Sequence, residues 1–206
     1  MKKIINVIFS VIFSVLIIST IIKFTVGFKQ LYYFDIEYLN IPVLSGLSKE
    51  DIKKNYDYMI DYNLDKDNKE FELPSIKSSE NGKIHFEEVR NIFQILNKIS
   101  LVLSIIGLVI NILNKNIEFL KTTSKALIVI HLILMLPIVV NFEGSFVLFH
   151  KIMFNNDYWI FDPNLDPVIN ILPEEFFFHA GLMILILIII ASLTNYLIYR
   201  FLKREQ

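Results

Sequence analysis

The sequence predicts an all-α membrane protein, with four transmembrane helices and a small external domain between the first two. Three observations support this fold class. The 206-residue chain is 54% hydrophobic and has a mean hydropathy of +0.52, which is too apolar for a soluble domain of this length. It contains four apolar runs, each close to the roughly 20 residues that cross a bilayer. A polar, tyrosine-rich stretch separates the first run from the second.

Charge and cysteine content exclude several classes of function. The formal net charge is -1, and no stripe of Lys and Arg is interleaved with aromatic residues, so nucleic acid is not a predicted partner. The chain has no cysteine, which excludes disulfides, thiolate metal sites and a cysteine nucleophile, and means that the chain is not itself a lipoprotein. We predict no cofactor, and the sequence leaves the oligomeric state open.

The first apolar run predicts a retained transmembrane helix, TM1, over residues 4–27. A secretory signal peptide is the alternative, because the run follows Met-Lys-Lys at the N-terminus. However, the run is longer than the about 7–15-residue core of a signal peptide. It also has no small-x-small cleavage site before Lys23.

The external domain, predicted at 28–90, contains an amphipathic helix and a short hairpin. Ser48 and Asp51 have the spacing of a capping box, and apolar residues recur after them at helical intervals. We therefore expect an amphipathic helix over 49–62. A weak alternation of apolar and polar residues, followed by the pair Asn81-Gly82, predicts the hairpin.

The other three apolar runs predict TM2, TM3 and TM4, and the charges outside the runs predict their orientation. Lys and Arg are in excess at the N-terminus, between TM2 and TM3, and at the C-terminus. Positive charge favours the cytoplasmic side, so both termini are predicted to be cytoplasmic and the two longer, net negative loops external. The predicted segments are TM2 at 91–113, a cytoplasmic loop at 114–125, TM3 at 126–150, an external loop at 151–175, TM4 at 176–199 and a cytoplasmic tail at 200–206.

Two histidines are predicted to lie at the external interface with polar neighbours. His85 precedes TM2 and His150 ends TM3, so the topology brings both to the same side of the membrane. Glu88 follows His85 by three residues, so a helix there places the two on one face, where the carboxylate can orient the imidazole. The pattern favours packing roles for the other two histidines, His131 within TM3 and His179 at the start of TM4.

The external loop after TM3 alternates aromatic with polar residues, a pattern typical of an interfacial belt. Two Asp-Pro pairs, and a proline just before TM4, predict a rigid loop. Rigidity favours a site over a simple membrane anchor, because a site must hold its groups in place. The supporting residues predicted from this loop are Asn155, Asn156, Asp157, Trp159, Asp162 and Asp166.

One pair of charges is predicted inside the membrane. Lys98 lies about two helical turns inside the external end of TM2, and Glu143 lies at a similar depth in TM3. Charges within a bilayer normally pair, so we expect the two to meet if the helices are neighbours. The pair is either structural or the floor of a polar cavity.

Taken together, the motifs resemble one known family. They are the four apolar runs, His85-Phe-Glu-Glu-Val, and the segment of Phe149-His150 followed by Asn156-Asp157, Trp159 and two Asp-Pro pairs. This pattern resembles the bacterial lipoprotein intramolecular transacylase, Lit. Enzymes of that family move the sn-2 acyl chain of an S-diacylglyceryl group to the α-amine of the same N-terminal cysteine, which leaves a lyso-form lipoprotein.

The resemblance implies a site, partners and a location. It implies that His85 and His150 are catalytic and that the partners are a diacylglyceryl-modified lipoprotein and membrane lipids. It also implies a multi-pass protein in the plasma membrane of a Gram-positive bacterium, with the active site on the external face.

Histidine suits this chemistry, because a pKa of about 6.5 lets one ring take the amine proton and another protonate the departing alkoxide. Amine and ester belong to one substrate, so no covalent enzyme nucleophile is required. Glu88 or Asp157 is expected to orient the histidines. Asn155, Asn156 or backbone amides of the loop are candidates for stabilising the oxyanion.

Three alternatives are open on the sequence alone. A covalent mechanism through Ser145 lacks the Gly-x-Ser-x-Gly elbow that such serines occupy. A metal site built from His85, Glu88, His150 and Asp157 has suitable ligand types but no metal-binding spacing, and we predict no metal. A non-catalytic membrane protein, such as a chaperone or channel subunit that binds a partner through its external loops, predicts that both histidines are dispensable.

Overall fold

The computed structural model describes residues 2–65, 70–114 and 116–205. Within these ranges the chain forms helices and loops and contains no β-strand, which confirms the all-α fold class. The helices are α1 (Lys2–Gly27), α2 (Lys29–Tyr38), α3 (Ile41–Ser45), α4 (Lys49–Leu64), α5 (Glu80–Asn114), α6 (Glu118–Val140), α7 (Phe142–Met153) and α8 (Glu174–Arg204), with a 3-10 helix at Pro167–Ile171.

Among the described residues, four helices are long and apolar enough to cross a membrane, namely α1, α5, α6 and α8. α4 begins where the capping pattern predicts, since the Ser48 hydroxyl accepts a hydrogen bond from the Asp51 backbone N–H at 3.1 Å. α5 and α6 start earlier than predicted. The helix that carries His85 therefore includes polar turns ahead of its apolar run, and the loop predicted at 114–125 is shorter.

The predicted hairpin is wrong. Phe71 and Leu73, whose alternation suggested a strand, are buried in the hydrophobic core instead of pairing with a neighbouring strand. Asn81 and Gly82 lie in the first turn of α5. Ser79 caps this helix, because its hydroxyl accepts a hydrogen bond from the Gly82 backbone N–H at 3.0 Å. An Asn-Gly pair favours a tight turn, but here the preceding serine begins a helix.

The third apolar run forms two helices, where one continuous TM3 was predicted. α6 ends at Val140 and α7 begins at Phe142. Asn141, between them, has φ -151° and ψ 89°, and its side chain accepts a hydrogen bond from the Gly144 N–H at 2.9 Å. Asparagine is a strong N-cap, so this polar residue within an apolar run starts a new helix.

The chain divides into two compact units. The spanning unit contains Met1–Phe24, Leu96–Val140 and Leu182–Gln206. The site unit contains Thr25–Ile95 and Asn141–Gly181. Both histidines of the predicted site belong to the site unit, and so do both predicted external segments, 28–90 and 151–175.

Contacts within the spanning unit come from a small aromatic cluster and from serines. The ring centroids of Phe9 and Phe119 are 4.3 Å apart, and the Ser10 hydroxyl donates to the Phe119 carbonyl at 3.1 Å. Ser192 donates to the Ser124 carbonyl at 2.8 Å. Small hydroxyl side chains allow helices to approach closely and to hydrogen-bond in apolar surroundings.

The core of the site unit is aromatic. Tyr32 of α2 stacks on Tyr56 of α4 with ring centroids 3.7 Å apart, and Phe176 of α8 packs edge-on against both rings. The Tyr32 hydroxyl donates to the Ile171 carbonyl, at the end of the 3-10 helix. Because one buried tyrosine contacts α4, α8 and the 3-10 helix, α2 fixes the position of the loop that leads into α8.

One buried acid lies beside this core. Asp35 of α2 is fully buried, and its Oδ1 atom accepts a hydrogen bond from Nδ1 of His179 at 2.8 Å. Among the described residues, its Oδ2 atom has no hydrogen-bond partner. Burial raises the pKa of the Asp35 carboxyl above its ordinary value, although the bond to His179 acts in the opposite direction. His179 thus has a specific partner that the sequence pattern did not reveal.

Candidate active site

The two predicted catalytic histidines come together in the site unit. His85 lies in the second turn of α5, and His150 lies in the last turn of α7. Their ring centroids are 6.1 Å apart and the ring planes are inclined by 34°. His85 is 6% exposed and His150 is partly buried. A small group placed between the two rings would contact both.

Aromatic side chains enclose the histidine pair. Phe154 and Phe161 pack edge-on against His85, at 4.7 and 5.5 Å between ring centroids. Trp159 stacks on His150 at 4.7 Å. These rings exclude water from the imidazoles and lower the local dielectric constant, which strengthens every electrostatic interaction made there.

The hydrogen bond of His150 assigns its tautomer. Nδ1 of His150 is 2.7 Å from the carbonyl oxygen of Phe146. A carbonyl accepts and cannot donate, so we assign the ring proton to Nδ1, which leaves Nε2 as a proton acceptor. In contrast, Nδ1 of His85 is buried and has no partner among the described residues. Within the described part of the chain, each histidine therefore has a ring nitrogen without a hydrogen-bond partner.

Asn156 links the helix that carries His85 to Trp159, the residue that stacks on His150. Its side-chain amide donates to Oε1 of Glu88 at 2.8 Å, and its backbone carbonyl accepts from Nε1 of Trp159 at 3.1 Å. Asn156 thereby connects α5 to the tryptophan that stacks on His150. Glu88 was expected to orient a histidine, but the described contacts join it to Asn156 instead.

Asp166 ties the loop before α8 to the start of α5. Its carboxylate is 4% exposed and accepts two hydrogen bonds from Ser79, one from the backbone N–H at 2.7 Å and one from the hydroxyl at 2.6 Å. Gly82 lies against the same carboxylate, because a Cβ added there would be 2.3 Å from Oδ1 of Asp166. A residue without a side chain is needed for this close approach.

The remaining predicted residues differ in their surroundings. Asp162 stabilises a local turn, since its Oδ1 atom accepts from the Asn164 backbone N–H at 2.8 Å. Asn155 and Asp157 are exposed, and the described contacts join neither side chain to a histidine. Their proposed roles, in stabilising the oxyanion and in orienting a histidine, stay predictions.

The predicted intramembrane ion pair also stays a prediction. Lys98 belongs to the spanning unit and Glu143 to the site unit, and both side chains are exposed. Glu143 lies in the first turn of α7, where a negative charge is favourable at the positive end of the helix dipole.

Sequence reasoning missed three residues that shape the site, namely Ser79, Gly82 and Phe146. A serine directly before an acidic residue is a helix-start signal, so Ser79 could have been found. The Asn81-Gly82 pair outweighed that signal, because it suggested a turn. The contribution of Phe146 comes from its backbone carbonyl, and no sequence pattern marks a carbonyl.

Comparison with known proteins gives a family and a set of solved structures. The family model described as "Lipoprotein intramolecular transacylase Lit" matches residues 7–177. The structure of the membrane integral lipoprotein intramolecular transacylase Lit from Bacillus cereus is 41% identical, with a TM-score of 0.92, over 100% of this chain and 97% of that chain.

Two further structures of the Bacillus cereus protein, named as carrying H85R and H85A mutations, are each 40% identical with a TM-score of 0.88. They cover 100% of this chain and 93% and 94% of theirs. The comparison with curated proteins gives no match. Likeness to a membrane-integral structure, together with four helices long enough to span, identifies this chain as a multi-pass membrane protein.

Proposed function

Since the chain belongs to the lipoprotein intramolecular transacylase family, Lit, we propose that it moves the sn-2 acyl chain of an S-diacylglyceryl cysteine to the α-amine of that same cysteine. The chain is therefore an acyltransferase whose substrate is a diacylglyceryl-modified lipoprotein. Its product is a lyso-form lipoprotein, with a new amide on the cysteine nitrogen and a free hydroxyl on the glyceryl group.

The observation that carries this mechanism is the pairing of two histidines inside an aromatic enclosure. The rings of His85 and His150 are 6.1 Å apart, and each retains an uncommitted nitrogen among the described contacts. Acyl transfer from an ester to an amine requires one proton to leave the nitrogen and one to reach the departing oxygen. Two neighbouring imidazoles are suited to both transfers, because each neutral ring has one nitrogen that accepts a proton and one that donates. Burial lowers the pKa of His150 below its ordinary value, which keeps this ring neutral and able to accept the amine proton.

The reaction balances without a second substrate. The neutral amine attacks the carbonyl carbon of the sn-2 ester, and a C–N bond forms while the carbonyl oxygen becomes an oxyanion. His150 is suited to take the amine proton, because its Nε2 atom is the acceptor of the assigned tautomer. Collapse of the intermediate breaks the bond between the carbonyl carbon and the glyceryl oxygen. The alkoxide then takes a proton back from the histidine pair.

Proximity supplies much of the catalysis in this proposal. Amine and ester are parts of one molecule, so holding the lipid in a folded conformation converts the attack into an oriented intramolecular step. The rings of Phe154, Phe161 and Trp159 provide an apolar wall against which the glyceryl group and the first carbons of its acyl chains can pack.

We further propose that the site faces the external side of the plasma membrane. Both segments that build it carry a net negative charge, whereas the N-terminus, the segment 114–125 and the C-terminus have an excess of Lys and Arg. Under the positive-inside rule, the basic segments lie in the cytoplasm. Mature lipoproteins are anchored on the opposite side, where the substrate would meet the site.

The test is to express the protein with a diacylglyceryl-modified lipoprotein and to fragment the N-terminal lipopeptide by tandem mass spectrometry. Substrate and product are isomers, so the intact mass does not change and the fragment ions must show whether an acyl chain is on nitrogen. We expect N-acylation with the natural chain. We expect its loss, by more than about 100-fold, with His85→Ala and with His150→Ala.

The matched control is His131→Gln, which changes a buried histidine in the spanning unit. We expect this variant to retain N-acylation. All variants are compared at equal amounts of folded protein, as measured by thermal unfolding in detergent. N-acylated product that persists in both the His85→Ala and the His150→Ala variants would disprove the mechanism.

A further inference from the structure

Among the described contacts, one carboxylate oxygen of Glu88 accepts a hydrogen bond and the other does not. Oε1 accepts a hydrogen bond from the Asn156 side chain at 2.8 Å. Oε2 is buried, and among the described residues it has no hydrogen-bond partner. His85 lies three residues earlier on the same helix face. Its Nδ1 atom is also buried and has no hydrogen-bond partner among the described residues. Residues three apart on a helix have Cβ atoms about 5–6 Å apart, so one small group can reach both side chains.

An unpartnered carboxylate oxygen within protein is unfavourable, because burial removes the water that would solvate its charge. The cations nearest along α5 have other partners. Lys83 pairs with Glu70 at 3.4 Å, and Arg90 lies over the Tyr62 ring at 5.0 Å. Among the described residues, no Lys or Arg is within ion-pair distance of Glu88. Oε2 can therefore accept a hydrogen bond from a donor on a bound substrate.

We infer that Glu88 binds the α-ammonium group of the substrate's N-terminal cysteine. This inference rests on the proposed transacylase function and adds a recognition element to the same site. Asn156 holds the carboxylate by Oε1, which leaves Oε2 as the oxygen that accepts from the ammonium group. The ammonium group has three N–H donors and fits an oxygen that lacks a donor.

This role explains how the reacting nitrogen is selected. An α-amino group has a pKa of about 7.7–8.0, so at neutral pH the substrate arrives mainly as an ammonium ion. Binding to Glu88 places that nitrogen beside the histidine pair. One proton passes from the ammonium to an imidazole, which leaves the neutral amine that attacks the ester. In the complete reaction, this extra proton is released to water after the amide has formed.

The binding test uses two unreactive probes. Both are cysteine lipopeptides in which ether-linked alkyl chains replace the esters, so no acyl transfer can occur. One has a free α-amine and the other has an N-acetyl group. We expect the purified natural chain, in detergent micelles, to bind the free-amine probe about 10- to 100-fold more tightly than the acetylated probe.

Glu88→Gln is the diagnostic variant. The glutamine oxygen can still accept the hydrogen bond from Asn156, while an amide NH2 group replaces the charged Oε2 atom. We expect this variant to bind both probes with similar affinity. For an ester substrate, we expect KM to rise about 10- to 100-fold with a smaller change in kcat, because the lost interaction is made before the chemical step.

Two controls separate recognition from structure. Glu87→Gln changes the neighbouring carboxylate, which is exposed, and we expect it to keep the preference for the free amine. Asn156→Ala removes the hydrogen bond that holds Glu88 but leaves the negative charge of Glu88. We therefore expect a lower kcat, with a reduced but measurable preference for the free-amine probe.

The outcomes distinguish this inference from the function on which it rests. Unchanged discrimination between the two probes in Glu88→Gln, with the natural chain active, would overturn the ammonium site and leave the transacylase function standing. Absence of N-acylation by the natural chain itself would overturn the function. Equal binding of both probes to the natural chain would also reject the ammonium site.

Discussion

The site unit has a buried aromatic core, whereas the spanning unit leaves many of its apolar side chains exposed. Phe71 and Tyr56 in the site unit are each 2% exposed, while Leu134 and Val140 in the spanning unit are 57% and 78% exposed. The site unit is stabilised as a water-soluble domain is, by removing apolar surface from water. Helices that lie in lipid gain little from that effect and depend on close contacts between small groups.

This difference predicts that truncating a large apolar side chain destabilises the site unit far more than the spanning unit. Phe71 stacks on Phe86 with ring centroids 4.3 Å apart. Phe71→Ala should lower the free energy of unfolding by about 3–5 kcal/mol, because it removes a buried ring and leaves a cavity. Leu134→Ala, the matched change in the spanning unit, should alter it by less than about 0.5 kcal/mol.

Thermal unfolding of both variants in the same detergent measures the contrast. If the two variants were destabilised equally, the distinction between a core formed by burial and a surface solvated by lipid would fail.

Buried charge gives the second contrast. Asp35 in the site unit is fully buried against His179, which is 26% exposed, whereas Glu118 in the spanning unit is 47% exposed beside Lys203. His179→Ala should cost about 2–3 kcal/mol, because a buried carboxylate loses its partner, while partial exposure of the histidine moderates the loss. Glu118→Gln should cost less than about 0.5 kcal/mol.

The cost of His179→Ala should depend on pH. Burial raises the pKa of Asp35, and the variant removes the hydrogen bond that opposes this rise. The protonated acid is then favoured in the folded state, so stability is retained at acidic pH and is lost as pH rises above the ordinary value of about 3.9. Chemical denaturation between about pH 4 and pH 7 should show a deficit that grows with pH. A deficit that shrinks with rising pH would contradict the assignment.

Two glycines of α5, Gly82 in the site unit and Gly107 in the spanning unit, make the smallest contrast, and the sign of the stability change should differ between them. Gly82→Ala puts a Cβ against Asp166 and disturbs the hydrogen bonds to Ser79, at a cost of about 1–3 kcal/mol that alanine's helix propensity offsets in part. Gly107→Ala places its Cβ 3.4 Å from the Phe9 ring, an ordinary contact, and should be neutral or stabilising by up to about 1 kcal/mol.

A double variant tests the cause. If the clash with Asp166 is responsible, Gly82→Ala combined with Asp166→Ala should be no less stable than Asp166→Ala alone. If the stability losses of Gly82→Ala and Asp166→Ala were additive, the cost of Gly82→Ala would arise from the first turn of α5 and not from a clash with Asp166. Gly82→Ala should also lower the rate of acyl transfer several-fold, because Asp166 joins the loop before α8 to the helix that carries His85.

The fold was predictable where it depends on local composition. Four apolar runs predict four helices, because length and hydropathy are properties of each segment alone. The cap at Ser48 was likewise visible in its spacing to Asp51. The hairpin failed because Phe71 and Leu73 are drawn into a core formed by distant segments. The break at Asn141 was missed because a polar residue in an apolar run suits either a buried contact or a helix cap.

The site was predictable in part for the same reason. The predicted topology places His85 and His150 on one side of the membrane, so counting the spans was enough to predict that they lie close together. The bond between Glu88 and Asn156 joins residues 68 positions apart, and the tether between Ser79 and Asp166 joins residues 87 apart. Contacts at such separations depend on how loops fold over one another, which one sequence does not reveal.

The stacking of Trp159 on His150 has a spectroscopic consequence, because the chain contains one tryptophan. Its indole emission, excited at a wavelength that tyrosine does not absorb, therefore reports on the surroundings of the histidine pair. A lipid tail entering the aromatic enclosure should shift that emission to shorter wavelength, and proton transfer to the imidazole beneath the indole should quench it. The protein thus carries an intrinsic optical probe within the site itself, through which occupancy can be followed in real time without a label.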